Sequence, residues 1–439
     1  AYHWPLIPDP DALEAAFANA THHVDANFVQ QRMIPSAMEP RGVLAVPSPH
    51  GGDVTLYSAT QVPHILKVML AATTGIPESK IRVIAPAVGG GFGGKLNVNP
   101  DEILAVTLAN KLGRPVRWTE TRSEAAFSTH QGRGQNQRIE LAADGDGKLL
   151  GVRVHLDADM GAYMMLITPG VPLLGSFLYT GVYAVPAFGF TCDGWFTNLT
   201  PTDAYRGAGR PEASYAIERA MDILASKVGI GPDEIRRLNY LAGGEHFENL
   251  DVPSTLTFDS GHYGPTLDRA LELAGYGDLR AEQQARRDAG SSKQLGIGLC
   301  TYVEICGLAP SRALGGLGFG SGGWEHATVR MLPTGKVEVV SGSTPHGQGH
   351  ETSWSQIVAD KLGVAPEDVE VLHSDTAISP LGLDTYGSRS LSVGGVAVAS
   401  ACDKVVEKAK LMAAHSMEAS ADDMEFNGGV FSVAGSPDK

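Results

Sequence analysis

Cysteine is scarce in this sequence: four in 439 residues, at Cys192, Cys300, Cys306 and Cys402. None belongs to a Cys-x-x-Cys pair, so the chain offers no sequence support for a zinc or iron–sulfur site of its own. Cys300 and Cys306 lie in an apolar run and are expected to be buried free thiols. Such usage suits a reducing cytoplasm. Long apolar runs are also missing. No stretch approaches ~20 consecutive apolar residues, so no membrane span is expected. The start, Ala1-Tyr2-His3-Trp4-Pro5, has neither the basic nor the apolar region of a signal peptide. Positive charge is in deficit, with 34 Lys and Arg against 49 Asp and Glu and a net charge of −15. This disfavours a nucleic-acid or anionic-membrane surface, which draws mainly on Lys and Arg. What remains is a globular composition, 43% hydrophobic and 19% charged, long enough for two or three domains.

Against these absences, glycine is concentrated. Val88-Gly89-Gly90-Gly91-Phe92-Gly93-Gly94-Lys95 follows a strand-like stretch, Lys80 to Ala85, and precedes a helix-like one, Asp101 to Leu112. Glycine lets a backbone approach a ligand closely and adopt positive φ. Gly89-x-x-x-x-Gly94-Lys95 nearly matches a phosphate-binding P-loop, but Leu96 stands where a Ser or Thr holds Mg²⁺. Gly89-x-Gly91-x-x-Gly94 also fits a dinucleotide fingerprint, and a purely structural turn is the third reading.

Along the chain, helices are expected after Asp9, over Pro63 to Thr74, after Asn99-Pro100, over Glu212 to Val228, Pro232 to Leu241, Pro265 to Ala274, Leu279 to Asp288, Glu351 to Leu362 and Val393 to Met417. Arg138 to Leu141 and Leu149 to Leu156 read as a hairpin around Asp144-Gly145-Asp146-Gly147, an acidic turn without the spacing of a calcium loop. Further strands are expected at Gly296 to Ile305, Ala327 to Met331 and Val337 to Val340. A stretch rich in Gly, Asn, Asp and Ser, Gly243 to Gly264, marks the expected boundary between domains at 1–245 and 265–439. Gly75-Ile76-Pro77-Glu78-Ser79-Lys80-Ile81-Arg82-Val83 echoes Gly363-Val364-Ala365-Pro366-Glu367-Asp368-Val369-Glu370-Val371. Each reads as a helix stop, a Pro-Glu turn and a strand. His346 and His350 have zinc-pair spacing, but Gly347 and Gly349 between them disfavour a helix, so His350-Glu351 is expected to open the next one.

The glycine run resembles a segment of the molybdenum hydroxylases, the family of xanthine dehydrogenase, aldehyde oxidase and aerobic carbon monoxide dehydrogenase. Three further segments agree, in order: Ala204-Tyr205-Arg206-Gly207-Ala208-Gly209-Arg210-Pro211, Gly347-Gln348-Gly349-His350 and Thr385-Tyr386-Gly387-Ser388-Arg389-Ser390. Met38-Glu39-Pro40-Arg41-Gly42 looks similar too. The resemblance implies an α+β chain of two mixed α/β molybdopterin-binding domains, the second incomplete, within a larger subunit. It implies a molybdenum held by the dithiolene of a pterin, in a mono- or cytosine dinucleotide form, with no metal ligand from protein side chains. Cofactor-binding positions would be Gly90, Gly91, Phe92, Gly93, Arg206, Gly347, Gln348, Gly349, Gly387, Ser388, Arg389 and Ser390. Phe92, Arg206 and Gln348 would serve catalysis.

The implied reaction inserts a water-derived oxygen into a C–H bond of an aldehyde or aromatic N-heterocycle. Electrons would pass to [2Fe–2S] clusters and FAD on separate small and medium subunits, in a cytoplasmic dimer of heterotrimers. The sequence departs from the family in three places. Gly207-Ala208-Gly209 replaces the Cys-Ser-Phe whose thiolate holds copper, so the chain resembles form II enzymes and a copper site is not expected. Met33 stands where purine hydroxylases have glutamine. The family's catalytic glutamate has no counterpart, so this chain alone is expected to be inactive; Glu39 and Glu304 are the carboxylates to examine. A P-loop-like ATPase and a non-catalytic structural fragment are the alternatives.

Overall fold

The computed structural model describes residues 2–308, 310–316, 320–379 and 381–436. Its contacts group into two compact units, each made of two separate stretches: Ala1–Ile34 with His130–Glu304, and Pro35–Thr129 with Ile305–Lys439. The chain thus leaves its first unit early, builds some of the second, and returns. Among the described residues, no helix is long and apolar enough to cross a membrane.

The first unit is built on a five-stranded sheet in the order Tyr2–Leu6, Ala187–Phe196, Leu149–Gly161, Gln135–Ala143, His22–Gln30. Only the Leu149–Gly161/Ala187–Phe196 pair is parallel. Alternation along Gln135–Ala143 buries Ile139 and Leu141 fully, as a half-covered strand requires. The acidic turn is a plain one, in which Oδ1 of Asp144 accepts from the backbone N–H of Asp146 and Lys148 at 3.0 and 2.9 Å. Arg210–Val228 packs across the strands His22–Gln30 and Gln135–Ala143. Inside its far side, Glu218 accepts from Nε of Arg236 at 2.9 Å and from the N–H of Thr301 at 2.8 Å.

That contact explains a correction. The expected strand Gly296 to Ile305 is irregular chain that pairs with no strand among the described residues. Two of its backbone groups are taken up by side chains: the N–H of Thr301 by Glu218, and the carbonyl of Leu299 by Nη2 of Arg236 at 3.0 Å. The stretch Gly243 to Gly264, expected as a domain boundary, holds a hairpin, Phe247–Val252 with Leu256–Gly261, packed through Val252 and Phe258. Cys300 and Cys306 are exposed rather than buried, whereas Cys192 and Cys402 are buried.

The second unit holds two larger sheets and, near its end, the hairpin Met424–Asn427 with Val430–Val433. One larger sheet runs Ile81–Ile84, Val54–Ser58, Gly42–Pro47, Val116–Thr119; the other runs Ala327–Met331, Val337–Ser341, Val369–Leu372. The echoed nonapeptides occupy equivalent places. In each, a helix (Pro63–Thr74 or His350–Leu362) stops at a left-handed glycine, Gly75 or Gly363. A 3-10 turn and a strand follow, parallel to the strand before the helix. A second helix, Pro100–Leu112 or Val396–Ser416, completes each core around Val106 and Leu66, or Val398 and Trp354. The segments after the two echoed strands meet: the N–H of Ala85 donates to Ser374 at 2.8 Å, and the N–H of Thr376 to Val83 at 3.0 Å. Arg82 pairs with Asp375 beside them.

One buried acid makes this unit sensitive to pH. Glu102 accepts from Oγ of Ser58 at 2.7 Å and from the N–H of Asn99 at 2.8 Å, and burial pushes its carboxyl from 4.5 up to about 7. The folded state holds this proton more tightly than the unfolded state. The stability it contributes is therefore complete below its ordinary value and lost as pH rises through its folded one. Glu102→Gln keeps an acceptor for Asn99 and a donor for Ser58. In the full protein, Glu102→Gln is expected to flatten the decline of the thermal midpoint between about pH 5 and pH 8. An unchanged profile would assign that decline to another group.

Candidate functional site

In the second unit, the glycine loop leaves Ile81–Ile84 and crosses a bed of side chains before the helix Pro100–Leu112. Gln61, fully buried ahead of Pro63–Thr74, is the centre of that bed. Its Oε1 accepts from the N–H of Gly93 at 2.9 Å and of Lys95 at 3.4 Å. Its Nε2 donates to the carbonyl of Thr385 at 3.3 Å, and its own carbonyl accepts from the N–H of Thr385 at 3.4 Å. One amide thus joins the expected loops 88–95 and 385–390. Gly91 lies so close above it that a Cβ there would sit 2.5 Å from Oε1 of Gln61. Gln61 was not among the expected site residues. Its only sequence signal is a polar Thr60-Gln61 pair ahead of a proline-initiated helix.

Asp384 secures the other side. It is fully buried, accepts from the backbone N–H of His64 and Ile65 at 3.0 and 3.2 Å, and lies 2.6 Å from Nδ1 of His64. Burial pushes its carboxyl up to about 6, and the contact with His64 opposes that rise. The adjoining loop is braced by Arg389, whose Nη1 donates to Glu325 at 2.7 Å and to the carbonyl of Asp384 at 2.8 Å. Arg389 is only 1% exposed, so its guanidinium is a strut within the protein and not a group held out to a ligand. Ser390 bonds Thr385 through their hydroxyls at 3.0 Å. Ser388 is exposed between them, and Gly387 is half-buried.

Gln348 is exposed at the entry to His350–Leu362, and the sequence reading that His350 opens this helix holds. Its Oε1 accepts from the N–H of His346 at 2.7 Å. Burial pushes the His346 ring down to about 4. His350 is pushed down to about 4 as well, mainly by burial. Both rings are therefore neutral at pH 7.

The expected loops share a backbone signature. Phe92 at φ 56° and Ser388 at φ 57° are non-glycine residues in the left-handed region, and Gly347 and Gly349 flank Gln348 at φ 113° and 77°. Left-handed non-glycine residues cost of order 1–2 kcal/mol and concentrate where a backbone is shaped for a ligand. Phe92 is 41% exposed, so it is no core anchor. Gly90 and Gly93 on either side of it are also left-handed.

The P-loop reading meets two obstacles. Lys95 is buried and pairs with Glu39 at 2.8 Å, so its ammonium is not offered to a phosphate. The helix starts at Pro100, five residues after Lys95. Glu39 is itself committed, accepting from the N–H of Gly89 at 2.7 Å.

Arg206 lies in the first unit. Its side chain is exposed, and its carbonyl accepts from Nη2 of Arg133 at 2.9 Å. Arg133 stacks over Tyr205 with 4.6 Å to the ring centre and pairs with buried Glu212 at 3.2 Å. Gly207, Ala208 and Gly209 are all left-handed, ending at the helix Arg210–Val228. Arg210 pairs with Glu304 at 3.0 Å, so this carboxylate is a structural partner too.

Residues 7–240 match a family model described as molybdopterin cofactor-binding domain, and residues 269–439 match a second model of that description. The chain belongs to the molybdopterin cofactor-binding family. Its two matched segments are the two mixed α/β domains that the sequence resemblance implied. Among relatives in this family, it is 38% identical to the carbon monoxide dehydrogenase large chain of Hydrogenophaga pseudoflava, over 98% of this chain and 54% of that one. It is 33% identical to the nicotine 6-hydroxylase large subunit of Paenarthrobacter nicotinovorans, over 96% of this chain and 51% of the other. Quinoline 2-oxidoreductase from Pseudomonas putida 86 superposes with a TM-score of 0.91 at 35% identity, covering 100% of this chain and 55% of that structure. The chain thus spans about half the length of the curated relatives it matches.

The Gln61 bridge can be broken from either side. In the full protein, Gln61→Ala strips partners from Gly93, Lys95 and Thr385. It is expected to cost about 1–3 kcal/mol in denaturant titration and to lower pterin content. Gly91→Ala should lower pterin content with a smaller loss of stability. Wild-type pterin content in both variants would remove Gln61 from the site.

Proposed function

We propose that this chain is the cofactor-holding portion of a molybdenum hydroxylase, an oxidoreductase that inserts water-derived oxygen into a C–H bond of its substrate. The observation that carries this reading is the Gln61 bridge, which ties two left-handed loops of a molybdopterin-binding family member to one buried amide. The protein's residues fit a large polar cofactor. Among the described residues, Oγ1 of Thr344 and Nδ1 of His350 are buried without a hydrogen-bond partner. Among the described residues, no atom lies within 4 Å of where a Cβ would sit at Gly347 or Gly349. Gly90, Gly91, Phe92, Gly93, Gly347, Gln348, Gly349, Gly387, Ser388 and Ser390 are proposed to hold the cofactor, Arg389 to brace their loop, and Phe92 and Gln348 to serve catalysis; Arg206, in the first unit, is proposed as a catalytic residue in its own right.

A molybdenum pterin, when bound, supplies the two-electron oxidation and the transfer of oxygen. The chain's own residues hold and orient it. Glu39 and Glu304 are tied to Lys95 and Arg210, so neither is free to act as a base. The proton acceptor is proposed to be a glutamate beyond these residues, and 1–439 alone is proposed to be inactive. The segments 1–245 and 265–439 are proposed as the two functional cofactor-binding portions. Partner subunits carrying [2Fe–2S] clusters and FAD would take the electrons, in a cytoplasmic dimer of heterotrimers.

Aromatic N-heterocycles are favoured as substrates, because relatives named for nicotine and quinoline oxidation match nearly the whole chain. Carbon monoxide is disfavoured. A matching structure is described as a Cu,Mo enzyme, whereas Gly207 to Gly209 offers no thiolate for a soft copper ion. The test is metal and pterin analysis of the full complex, then turnover of an N-heterocycle and aldehyde panel with an artificial electron acceptor. Molybdenum without stoichiometric copper, and oxidation of a panel member but not of CO, is the expected outcome. Stoichiometric copper with rapid CO oxidation would overturn the substrate assignment, and absence of molybdenum and pterin would overturn the function.

A further inference from the structure

The five-stranded sheet of the first unit carries a ligand set that no expected motif includes. His155 and Asp157 are two residues apart on Leu149–Gly161 and so share a face. Asp193, on the parallel neighbour, pairs in register with Asp157. Nε2 of His155 lies 3.8 Å from Oδ2 of Asp157 and 3.8 Å from Oδ2 of Asp193. One ligand atom from each residue falls within 4.8 Å of the other two. At 3.8 Å these atoms are too far apart to hydrogen-bond and too close to ignore one another.

The outward atom of every member is separately held. Oδ1 of Asp157 accepts from the indole N–H of Trp195 at 2.8 Å. Oδ1 of Asp193 lies 2.7 Å from Nδ1 of His3, on the edge strand Tyr2–Leu6. Nδ1 of His155 lies 2.9 Å from Oγ1 of Thr191, whose own hydroxyl reaches the carbonyl of Val154 at 3.5 Å. With that hydroxyl proton directed to Val154, Thr191 accepts from Nδ1–H of His155, which turns the Nε2 lone pair inward. Three acceptor atoms therefore converge. Among the described residues, neither Asp157 nor Asp193 pairs with a Lys or Arg.

We propose that His155, Asp157 and Asp193 bind a divalent transition cation of the zinc class, with Trp195, His3 and Thr191 orienting the three ligands. Imidazole and carboxylate ligands suit zinc at about 2.0–2.2 Å, so each ligand atom need move inward by only a few tenths of an ångström. Three protein ligands leave a fourth position open to water or a small ligand. The site uses no residue assigned to the pterin, so its occupancy is independent of the proposed hydroxylase reaction.

The experiment uses the full protein, stripped with a chelator and titrated with Zn²⁺ against a chromophoric competitor, then with Co²⁺ followed by visible absorption. The wild type is expected to take up one equivalent that His155→Ala and Asp193→Asn each bind at least about tenfold more weakly, with loss of the cobalt band. Trp195→Phe keeps all three ligands and is expected to weaken binding by about tenfold through the freed Asp157 carboxylate. Absence of the equivalent in wild type, or equal affinity in both ligand variants, would overturn the site. Pterin content, measured on the same samples, is expected to stay at the wild-type level, so failure here is distinguishable from failure of the hydroxylase reading.

Discussion

A buried amide whose every polar atom is used holds the candidate cofactor region together. Gln61 reaches Thr385, a residue 324 positions away, while its oxygen supports the N–H groups of Gly93 and Lys95. Such a group cannot be lost cheaply, because its partners Lys95 and Thr385 are themselves buried, away from water. Asp384, the residue before Thr385, has the matching role, capping Pro63–Thr74 through two backbone N–H groups. Together they place two strained loops against a single helix start. The left-handed conformations of Phe92 and Ser388 persist because these bonds over-determine the backbone around them.

The second unit owes its shape to a repeated piece of chain. Two glycine-stopped helices, each followed by a Pro-Glu turn and a parallel strand, build two small cores. The echo in the sequence is short, yet both copies pack in one unit and join just beyond their equivalent strands through Ala85, Ser374 and Thr376. Loops leaving the two copies carry Gly91 and Gly387. A repeat of this kind brings distant segments together by its own internal symmetry, which is how glycine motifs some three hundred residues apart come to share one amide.

Several local features were legible from residue chemistry alone. Proline-initiated and glycine-stopped helices fell where Pro63, Pro100, Gly75 and Gly363 put them, because those residues act on their own backbone. The hairpin around Asp144 and the helix start at His350 are equally local. Where a segment's hydrogen bonds were taken up by side chains from elsewhere, the reading failed. Residues 296–305 look like a strand but are held by Glu218 and Arg236.

The sequence by itself determined the family, through four ordered glycine-rich motifs whose backbone freedom few other functions require, and it determined the absence of a thiolate at Gly207 to Gly209. Only the tertiary structure decided which side chains serve those motifs. Gln61 became the bridge, Arg389 a strut and Lys95 a buried ion-pair partner, although in sequence each is an ordinary polar residue. Only strand pairing set Asp193 beside His155 and Asp157. Helix starts and stops are written in the prolines and glycines that make them, whereas a side chain's role, and a strained or unpaired backbone, depend on partners that the fold brings from far along the chain.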